Sequence, residues 1–227
     1  MTATTNTMAA WDAIAASFDA TRQRPWPLVL DFIKNHPGTT LFDLGCGNGR
    51  HLLPAADYCT QGVGVDFSRE LLKITNQKIQ GQAKQNLSCI QATLTNLPFC
   101  DASADIVLFI AAVHNIRGRQ QRVLALQEVS RVLKPGGWAL ISVWSRWQDK
   151  YRRHFLKDLL RPQGEFGDID VAWQAQGLNV PRFYHLYSRR EFRQDLTAAG
   201  LRVCSLEATR FVSRYAPDNF FAFVQKA

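Results

Sequence analysis

Short apolar runs alternate with stretches of helical periodicity along most of the chain. Apolar runs of about six to eight residues fit strands buried on both faces, and apolar residues three or four positions apart fit amphipathic helices. The pattern predicts strands over 39–45, 61–66, 87–92, 105–112 and 138–144, and helices over 11–19, 28–35, 69–82 and 119–133, with a further helix beginning at Arg50. Strands and helices in this alternating order predict an α/β fold with a parallel, doubly wound sheet.

The last third of the chain is organised differently. The segment 145–181 has no regular pattern and is too long for a simple connection, so we expect it to have a function of its own. A helix is predicted from Arg189 to Ala199, ended by Gly200, and a final strand pair over 201–210 and 219–225.

Three glycines alternate with other residues directly after the first predicted strand. The segment 41–50 reads L-F-D-L-G-C-G-N-G-R, with Gly45, Gly47 and Gly49 at every second position. Glycine at such positions lets the main chain pass within contact distance of a ligand, because a Cβ would clash or would forbid positive φ. Asp66 ends the next strand, 21 residues after Gly45, close to the ~20 expected for a carboxylate that binds ribose hydroxyls.

Two ligands are compatible with a glycine turn followed by an acid. A dinucleotide site requires G-x-G-x-x-G, and Arg50 stands where its third glycine belongs. S-adenosylmethionine carries no phosphate and does not need that glycine. The spacing therefore predicts an S-adenosylmethionine site, and a tight strand-to-helix turn without a ligand is the alternative.

Residues just past the strand ends are site candidates, because ligands of this fold lie beyond the carboxyl ends of the strands. Asp43 is expected to meet the ammonium or sulfonium side of the cofactor, or else to stabilise the turn. Thr93 stands where related methyltransferases offer an aspartate to the adenine; its hydroxyl and the amides of Thr93 and Leu94 can still bind the ring. Residues 110–115 should wall the site of methyl transfer. The predicted cofactor-binding residues are Asp43, Gly45, Gly47, Gly49, Asp66, Phe67, Thr93, Leu94 and Ile110.

Composition limits the class of protein. The chain has 227 residues, of which 46% are hydrophobic and 20% charged, as expected of a single soluble domain. The longest apolar run, 106–113, is far shorter than the ~18 residues of a spanning helix, and 1–7 lacks a signal-peptide core, so we expect a cytoplasmic protein without membrane contact. The five cysteines include no C-x-x-C pair, which argues against a disulfide framework and against a metal site.

Charge is distributed unevenly along the chain. Residues 1–116 hold 8 Lys and Arg against 9 Asp and Glu, a net charge of −1, whereas residues 117–227 hold 19 against 10, a net charge of +9. A strongly basic half indicates an anionic macromolecule as partner, nucleic acid first and an acidic membrane or protein second; a solvated basic surface is the alternative. A basic run in the segment 145–181 is a candidate for binding phosphates: Lys150, Arg152, Arg153, His154, Lys157 and Arg161.

Beyond the cofactor motif, the chain carries several short segments that match a known family. They are W-D-A-I-A at 11–15, T-R at 21–22, R-P-W-P at 24–27, I-A-A-V-H-N at 110–115, V-W at 143–144, R-F-Y-H-L-Y at 182–187 and D-N-F-F at 218–221. Together they resemble the tRNA methyltransferases that esterify 5-carboxymethyluridine at the wobble position. The chain departs from that family's pattern at Thr93, Asn115, Pro217 and 168–173.

The resemblance covers nearly the whole chain and implies a fold, a cofactor and two partners. The fold is the Rossmann-like class I methyltransferase fold, with a doubly wound, seven-stranded, mostly parallel sheet whose last strand is antiparallel. The cofactor is S-adenosyl-L-methionine, the substrate is tRNA, and a small zinc-ribbon activator protein covers the sheet edge formed by 87–92, between Leu87 and Ala92. Within a single methyltransferase domain, 1–36 form an N-terminal helical cap, 37–144 the cofactor-binding core, 145–181 a substrate-binding insertion and 182–227 the C-terminal strands that complete the sheet.

The implied reaction needs alignment more than proton transfer. A carboxylate with a pKa near ~4 is ionised at pH 7, so its methylation requires no general base. Arg22 and Arg182 are the candidates to hold it. Trp26 and Tyr184 are the candidates to stack on the uracil, with core packing as the alternative. His114 and His185 are expected at the mouth of the site, as substrate contacts or as hydrogen-bonded wall residues. The predicted catalytic residues are Arg22, His114, Arg182 and His185, and the predicted substrate-binding residues are Trp26, Asn115, Trp144, Tyr184, Tyr187 and Asn219.

Two other classes of function stay open. A small-molecule or lipid O- or N-methyltransferase would share the first 116 residues but would not explain the net charge of +9 on the remainder. A non-catalytic binding module of the same fold is the second alternative, favoured by any loss of cofactor affinity at Thr93. Calorimetry with S-adenosylmethionine would separate the module from both kinds of enzyme.

Overall fold

The computed structural model describes residues 8–159 and 164–226. Two helices precede the first strand, and strands and helices then alternate as far as the fifth strand, except that β4 follows β3 directly. The helices are α1 (Met8–Thr21), α2 (Pro27–Asn35), α3 (Leu52–Ala55), α4 (Arg69–Gly81), α5 (Arg119–Val132), α6 (Arg152–Asp158) and α7 (Arg189–Ala198). The strands are β1 (Gly38–Leu44), β2 (Cys59–Asp66), β3 (Leu87–Gln91), β4 (Ala104–Ile110), β5 (Leu133–Trp144), β6 (Asp168–Trp173), β7 (Val180–His185), β8 (Leu201–Thr209) and β9 (Asn219–Lys226).

Seven strands form one sheet in the order β3-β2-β1-β4-β5-β9-β8. The pairs among β1 to β5 are parallel, and β9 runs antiparallel to both of its neighbours, β5 and β8. The predicted mostly parallel sheet with an antiparallel last strand is therefore confirmed. Because the parallel strands point the same way, their carboxyl ends share one edge of the sheet, and that edge is where this fold binds ligands.

The core lies on both faces of this sheet. Successive residues of a strand point to opposite faces, so Phe42 and Leu44 of β1 join one buried cluster while Leu41 joins the other. In β4 every residue but Asp105 is buried. This two-sided burial explains why the strands read in the sequence as continuous apolar runs.

Polar side chains set where several helices begin. The Ser68 hydroxyl accepts the Leu71 N–H at 3.2 Å and caps α4, and Ser188 and Glu191 form a capping box at α7. Asp12 of α1 accepts hydrogen bonds from the Ser68 hydroxyl at 2.6 Å and from the Glu70 N–H at 3.1 Å. These last bonds tie α1 to the start of α4, beside the carboxyl end of β2.

The segment 145–181 differs from the prediction, because it is not irregular throughout. It contains α6 and β6, and β6 pairs antiparallel with β7 as a separate two-stranded sheet. Residues 182–185 belong to this hairpin, so the expectation that all of 182–227 completes the main sheet is wrong for them. The helix predicted from Arg50 is also shorter than expected, since α3 covers only four residues and contains Pro54.

The hairpin is held in place by apolar contacts on both of its ends. Trp173 packs in a buried cluster with Trp11, Ile14 and Leu71, and Tyr184 in another with Phe155. None of the helices in the two described stretches is long and apolar enough to cross a membrane.

Candidate active site

The carboxyl ends of the parallel strands open into a cavity of about 1020 Å³. Its floor includes residues that follow β1, β2 and β4, its walls come from α1 and the β6–β7 hairpin, and part of its rim comes from the loop between β8 and β9. A cavity of this size at the carboxyl edge is the expected position of a ligand site in this fold.

The glycine turn after β1 follows the predicted backbone path. Gly45, Gly47 and Gly49 have φ of +72°, +55° and +76°, values that favour glycine. A Cβ on Gly45 would lie 2.4 Å from the Ala112 Cβ. Gly45 and Gly47 line the cavity.

Gly49 has a different role from the one predicted. It is not among the described residues that line the cavity, and a Cβ there would lie 2.9 Å from Thr75 on α4. Its positive φ and this close approach serve the packing of the turn against α4, and the close approach to a ligand stays a prediction for Gly45 and Gly47.

Asp66 connects the turn to the end of β2. Its Oδ2 accepts the Gly47 N–H at 2.9 Å and its Oδ1 accepts the Ser68 N–H at 2.9 Å. Burial raises the pKa of this carboxyl to about 6, and the backbone N–H groups oppose that rise. Asp66 and the adjacent Phe67 both line the cavity, so each can reach a bound nucleoside.

Asp43 offers an unsatisfied acceptor inside the cavity. Its Oδ2 is buried and has no hydrogen-bond partner among the described residues, although such groups are normally paired. Burial raises the pKa of this carboxyl to about 7, against the opposing charge of Arg50. A cationic ligand group would satisfy this oxygen.

The remaining predicted cofactor residues, Thr93, Leu94 and Ile110, line the same cavity. Leu94 and Ile110 add apolar surface, and Thr93 adds a hydroxyl where related enzymes have a carboxylate. These residues, with Asp43, Asp66 and the glycine turn, have the donor and acceptor chemistry that S-adenosylmethionine requires. The unpaired Oδ2 of Asp43 is the observation that fits the cationic part of that cofactor best.

Arg22 and Arg182 converge on one aromatic ring. Their guanidinium carbons lie 5.3 Å and 4.8 Å from the centroid of Trp173, and Arg182 also lies 5.1 Å from that of Tyr184. Burial and the nearby charge of Arg22 lower the pKa of Arg182, against the opposing effect of Tyr184. Both arginines line the cavity.

Neither arginine has an acidic partner within the part of the chain that the structure describes. The ion pairs found there use other cations, and the buried Nε of Arg182 has no hydrogen-bond acceptor. Two guanidinium groups beside one ring and without a carboxylate have the charge and the donors to bind an anion.

His114 stands beside this anion site as a neutral ring. Its Nδ1 accepts the Trp144 N–H at 3.0 Å, which leaves the proton on Nε2. Burial, followed by the charges of His185 and Arg182, lowers the pKa of His114 to about 3. The Nε2 has no partner among the described residues, so it can donate a hydrogen bond to a ligand in the cavity.

Aromatic rings form the wall next to His114. Trp144 and Tyr184 stack with centroids 4.6 Å apart and planes 2° apart, and both line the cavity. Trp26 lines the cavity as well, in contact with the Arg50 guanidinium at 4.8 Å and the Phe211 ring at 4.9 Å. The remaining predicted substrate residues, Asn115 and Asn219, also line it.

His185 is not where the sequence predicted it. It is buried outside the described lining of the cavity, with Nδ1 2.8 Å from Asp168 Oδ1 and Nε2 2.8 Å from Glu191 Oε1. Burial lowers the pKa of His185, but the hydrogen bonds to the two carboxylates outweigh this and raise it. The prediction that His185 lies at the mouth of the site is therefore wrong. Its hydrogen bonds instead join the β6–β7 hairpin to α7.

Tyr187 is likewise outside the described cavity lining. Its hydroxyl accepts a hydrogen bond from Arg122 Nε at 2.9 Å and lies 3.4 Å from Asp195 Oδ2. The alternation of strand side chains explains the separation: Arg182 and Tyr184 face the cavity, whereas His185 points the other way. The segment R-F-Y-H-L-Y thus supplies two residues that line the cavity, Arg182 and Tyr184, and two that form hydrogen bonds outside its described lining, His185 and Tyr187.

Sequence reasoning missed several lining residues. His51 is buried, both of its ring nitrogens lack partners among the described residues, and burial and the charge of Arg50 lower its pKa. Its position directly after the glycine turn was the only available signal. Asp149 and the loop residues Phe211 and Arg214 also line the cavity, and no local pattern marked them.

The predicted basic run is only partly at the site. Lys150 lines the cavity. Arg152, Arg153, His154 and Lys157 lie on α6, and Arg161 lies outside the described residues.

Comparison with known proteins gives the family and the fold. Residues 42–141 match a family model described as a methyltransferase domain. The chain is 30% identical to the tRNA (carboxymethyluridine(34)-5-O)-methyltransferase of Schizosaccharomyces pombe, over 95% of this chain and 94% of that protein. It is 34% identical to a protein of the same name from Xenopus tropicalis, over 70% of this chain and 24% of that protein. The chain spans between 24% and 32% of the first four curated relatives that it matches.

Solved structures have the same fold. A methyltransferase described as S-adenosylmethionine-dependent, from Methanosarcina mazei, superposes with a TM-score of 0.74 at 20% identity, over 89% of this chain and 98% of that one. A Haloferax volcanii methyltransferase in complex with the activator Trm112 superposes with a TM-score of 0.68 at 19% identity, over 95% of this chain and 97% of that one. The resemblance noted in the sequence is confirmed, and the chain belongs to the tRNA carboxymethyluridine methyltransferase family of S-adenosylmethionine-dependent enzymes.

Proposed function

We propose that this chain transfers a methyl group from S-adenosylmethionine to the carboxylate of 5-carboxymethyluridine at the wobble position of tRNA, forming the methyl ester. The observation that carries the proposal is the pair Arg22 and Arg182, which share the Trp173 ring and have no acidic partner among the described residues. A carboxylate group in the cavity would supply the missing counter-charge.

The energetics of burial support an anionic ligand. An unpaired buried charge costs on the order of several kcal/mol, and the nearby charge of Arg22 lowers the pKa of Arg182 beyond the effect of burial. The rings of Trp11, Trp173 and Tyr184 surround the Arg182 guanidinium. They recover part of this cost through cation–π contacts worth about 0.5–2 kcal/mol each. The remainder is recovered when a carboxylate binds.

The residues of the chain then have defined tasks. S-adenosylmethionine, when bound, supplies a methyl group on a sulfonium. Arg182 and Arg22 hold the ionised carboxylate of the substrate by its two oxygens and leave a lone pair free for attack. No general base is needed, because that carboxylate is already ionised at neutral pH. Fixing the reacting groups at near-attack distance is capable of ~7–11 kcal/mol of barrier reduction.

Neighbouring groups complete the orientation. The Nε2–H of His114 faces no other acceptor among the described residues and is suited to donate to an oxygen of the substrate. Trp26 and the stacked pair of Trp144 and Tyr184 give apolar walls that exclude water. Asp43 and Asp66 are proposed to hold the methionine and ribose parts of the cofactor.

The sheet edge is the proposed site of an activator protein. β3 is a terminal strand of the sheet, and terminal strands present unpaired backbone groups that a partner can cover. The Haloferax volcanii neighbour was solved with its Trm112 activator. We propose that a small zinc-ribbon activator binds this chain at 87–92; full activity of the isolated monomeric chain would contradict this.

The substrate is tested by methyl incorporation. Purified chain, with and without a zinc-ribbon activator, is incubated with labelled S-adenosylmethionine and bulk tRNA, and the nucleosides are identified by mass spectrometry. We expect label in the methyl ester of 5-carboxymethyluridine, removable by mild alkali. Label that resists alkali, or that enters small molecules or lipids but not tRNA, would favour the alternative methyltransferase class. We also propose a cytoplasmic location, which cell fractionation tests.

A further inference from the structure

The loop between β8 and β9, residues 210–218, has its shape set by two carboxylates. Asp218 Oδ2 accepts the N–H groups of Val212 and Ser213, each at 2.8 Å, and Asp218 Oδ1 accepts that of Phe211 at 3.0 Å. Asp149, from the segment after β5, accepts the N–H groups of the next three residues, 214–216, at 2.8, 3.0 and 3.3 Å. Asp218 and Asp149 therefore accept the N–H groups of six successive loop residues, 211–216.

Three large apolar side chains of this loop are exposed. Val212 is 94% exposed, Tyr215 65% and Phe211 42%. An aliphatic and two aromatic side chains held at the surface by a fixed backbone form a contact surface rather than part of the core.

Cations surround this apolar surface. The guanidinium carbons of Arg214 and Arg152 lie 5.1 Å and 5.7 Å from the centroid of Tyr215, and Arg210 begins the loop. The carboxylates of Asp149 and Asp218 accept backbone N–H groups of the loop, and Asp149 also forms an ion pair with Arg152 at 3.7 Å. The N–H groups lower the pKa of Asp149, and at Asp218 they outweigh burial, which raises the pKa. The outward face is thus aromatic and positively charged.

The loop also reaches the cavity. Phe211, Val212, Ser213 and Arg214 line it, and the Phe211 ring contacts Trp26 at 4.9 Å. A molecule whose reacting group lies in the cavity and whose remainder extends outward must therefore pass over this loop.

We propose that the β8–β9 loop binds the unpaired nucleotides that flank the modified uridine, with a base stacked on Tyr215 and the flanking phosphates held by Arg210, Arg214 and Arg152. Aromatic rings next to guanidinium groups are the side chains that bind single-stranded RNA without reading its sequence. The positive charge of the loop favours RNA over an apolar protein surface as the occupant. The inference rests on the proposed RNA substrate.

Two pairs of variants test the proposal on the full chain with whatever activator it requires. Tyr215→Ala should raise the KM for tRNA about tenfold, since loss of one stacked base costs on this scale, whereas Tyr215→Phe, which keeps the ring, should match the wild type. Arg214→Ala should weaken tRNA binding and reduce the slope of log K against log salt by about one. Arg190→Ala, which removes an exposed arginine of α7, is its matched control.

A third variant separates the shape of the loop from its side chains. Asp149→Ala removes the acceptor of three loop N–H groups and also frees Arg152 from its ion pair. The freed charge alone would favour tRNA, so a raised KM for tRNA, with Tyr215 and Arg214 still present, would report the loss of the loop shape. The affinity for S-adenosylmethionine, measured by calorimetry, should be unchanged in Tyr215→Ala and Arg214→Ala.

The outcomes distinguish this inference from the proposed function. If the wild type neither binds nor methylates tRNA, the proposed function itself fails. If the wild type methylates tRNA, and Tyr215→Ala and Arg214→Ala have the same KM for tRNA and the same salt slope as the wild type, the proposed RNA-binding role of the loop is refuted and the proposed function is not. Loss of activator binding or of self-association in these variants, with unchanged tRNA affinity, would assign the loop to a protein partner and would also refute it.

Discussion

Replacing Arg182 by alanine gives the sharpest test of the anion site. The guanidinium is buried among Trp11, Trp173 and Tyr184, with its carbon 5.3, 4.8 and 5.1 Å from their centroids. No acid of the described chain forms an ion pair with it, so the substitution leaves no orphaned carboxylate behind. We therefore expect Arg182→Ala to fold, with loss of packing partly offset by removal of an unpaired buried charge.

The size of the kinetic effect follows from the bonds that are lost. A hydrogen bond to a charged group contributes about 1.5–3 kcal/mol, and a guanidinium can form two with a carboxylate. Two bonds at the lower value give about 3 kcal/mol, which corresponds to a ~10²-fold fall in kcat/KM. Arg22→Ala should behave in the same way, because its guanidinium approaches the same ring.

Three measurements on each variant are needed: initial rates with tRNA that carries 5-carboxymethyluridine, calorimetric affinity for S-adenosylmethionine, and the melting temperature. Arg182→Lys keeps the charge but loses the two parallel N–H donors of the guanidinium. Its kcat/KM should therefore lie between those of the wild type and Arg182→Ala. Arg190→Ala is the control for loss of an arginine. A kcat/KM within about threefold of wild type for Arg182→Ala would refute the reasoning. Equal losses of S-adenosylmethionine affinity and of kcat/KM would instead assign this arginine to the cofactor.

Three further predictions follow from other parts of the site and its support. Gly47→Val should abolish S-adenosylmethionine binding in calorimetry with the circular dichroism spectrum unchanged, because an L side chain rarely adopts the φ of +55° and the valine side chain would extend from a residue that lines the cavity; full affinity would contradict the cofactor assignment. The pKa of Asp43 is about 7, so affinity for the cationic cofactor should rise about tenfold from pH 6 to pH 8 as this carboxyl ionises. Asp43→Asn should reduce this dependence to about twofold, the part left by Asp66 with its pKa of about 6. The kcat at saturation should vary little, since His114 stays neutral over this range. The raised pKa of His185 means that its stabilising contribution is complete below its unfolded value of ~6.5 and is lost as the pH rises through the folded value. The difference in melting temperature between wild type and His185→Ala should accordingly be larger at pH 6 than at pH 9, with exposed His154→Ala as the control, and a difference that grows with pH would refute this sign.

Much of the fold could be predicted because its strands are local signals. The second half of β1 and most of β4 are buried on both faces of the sheet, so they appear in the sequence as short, mainly apolar runs. The glycine turn could be recognised for a related reason, since positive φ at Gly45 and Gly47 restricts residue type at those positions alone. Asp66 lies at a spacing set by one crossover helix, which is again a local length.

The β6–β7 hairpin could not be predicted in the same way. Its strands have six residues each, and Ile169 and Val171 alternate with acids, so one face is polar and the apolar content is low. Such strands are stabilised by packing on distant parts of the chain. The indole N–H of Trp173 donates a hydrogen bond to the hydroxyl of Ser17 on α1 at 2.9 Å, across a separation of 156 residues. No local pattern predicts a contact over that distance in the sequence.

The sequence by itself determined the order of strands and helices, the glycine turn and the residue types of the site. Only the tertiary structure decided that Arg22 and Arg182 share the Trp173 ring, that His185 and Tyr187 face away from the cavity, and that the β8–β9 loop forms part of its rim. The physical reason is that periodicity reports which side of an element is buried, whereas the partner it is buried against depends on long-range packing. For this chain, the residues of the proposed anion site come from the residue after α1 and from the β6–β7 hairpin, which only the folded structure brings together.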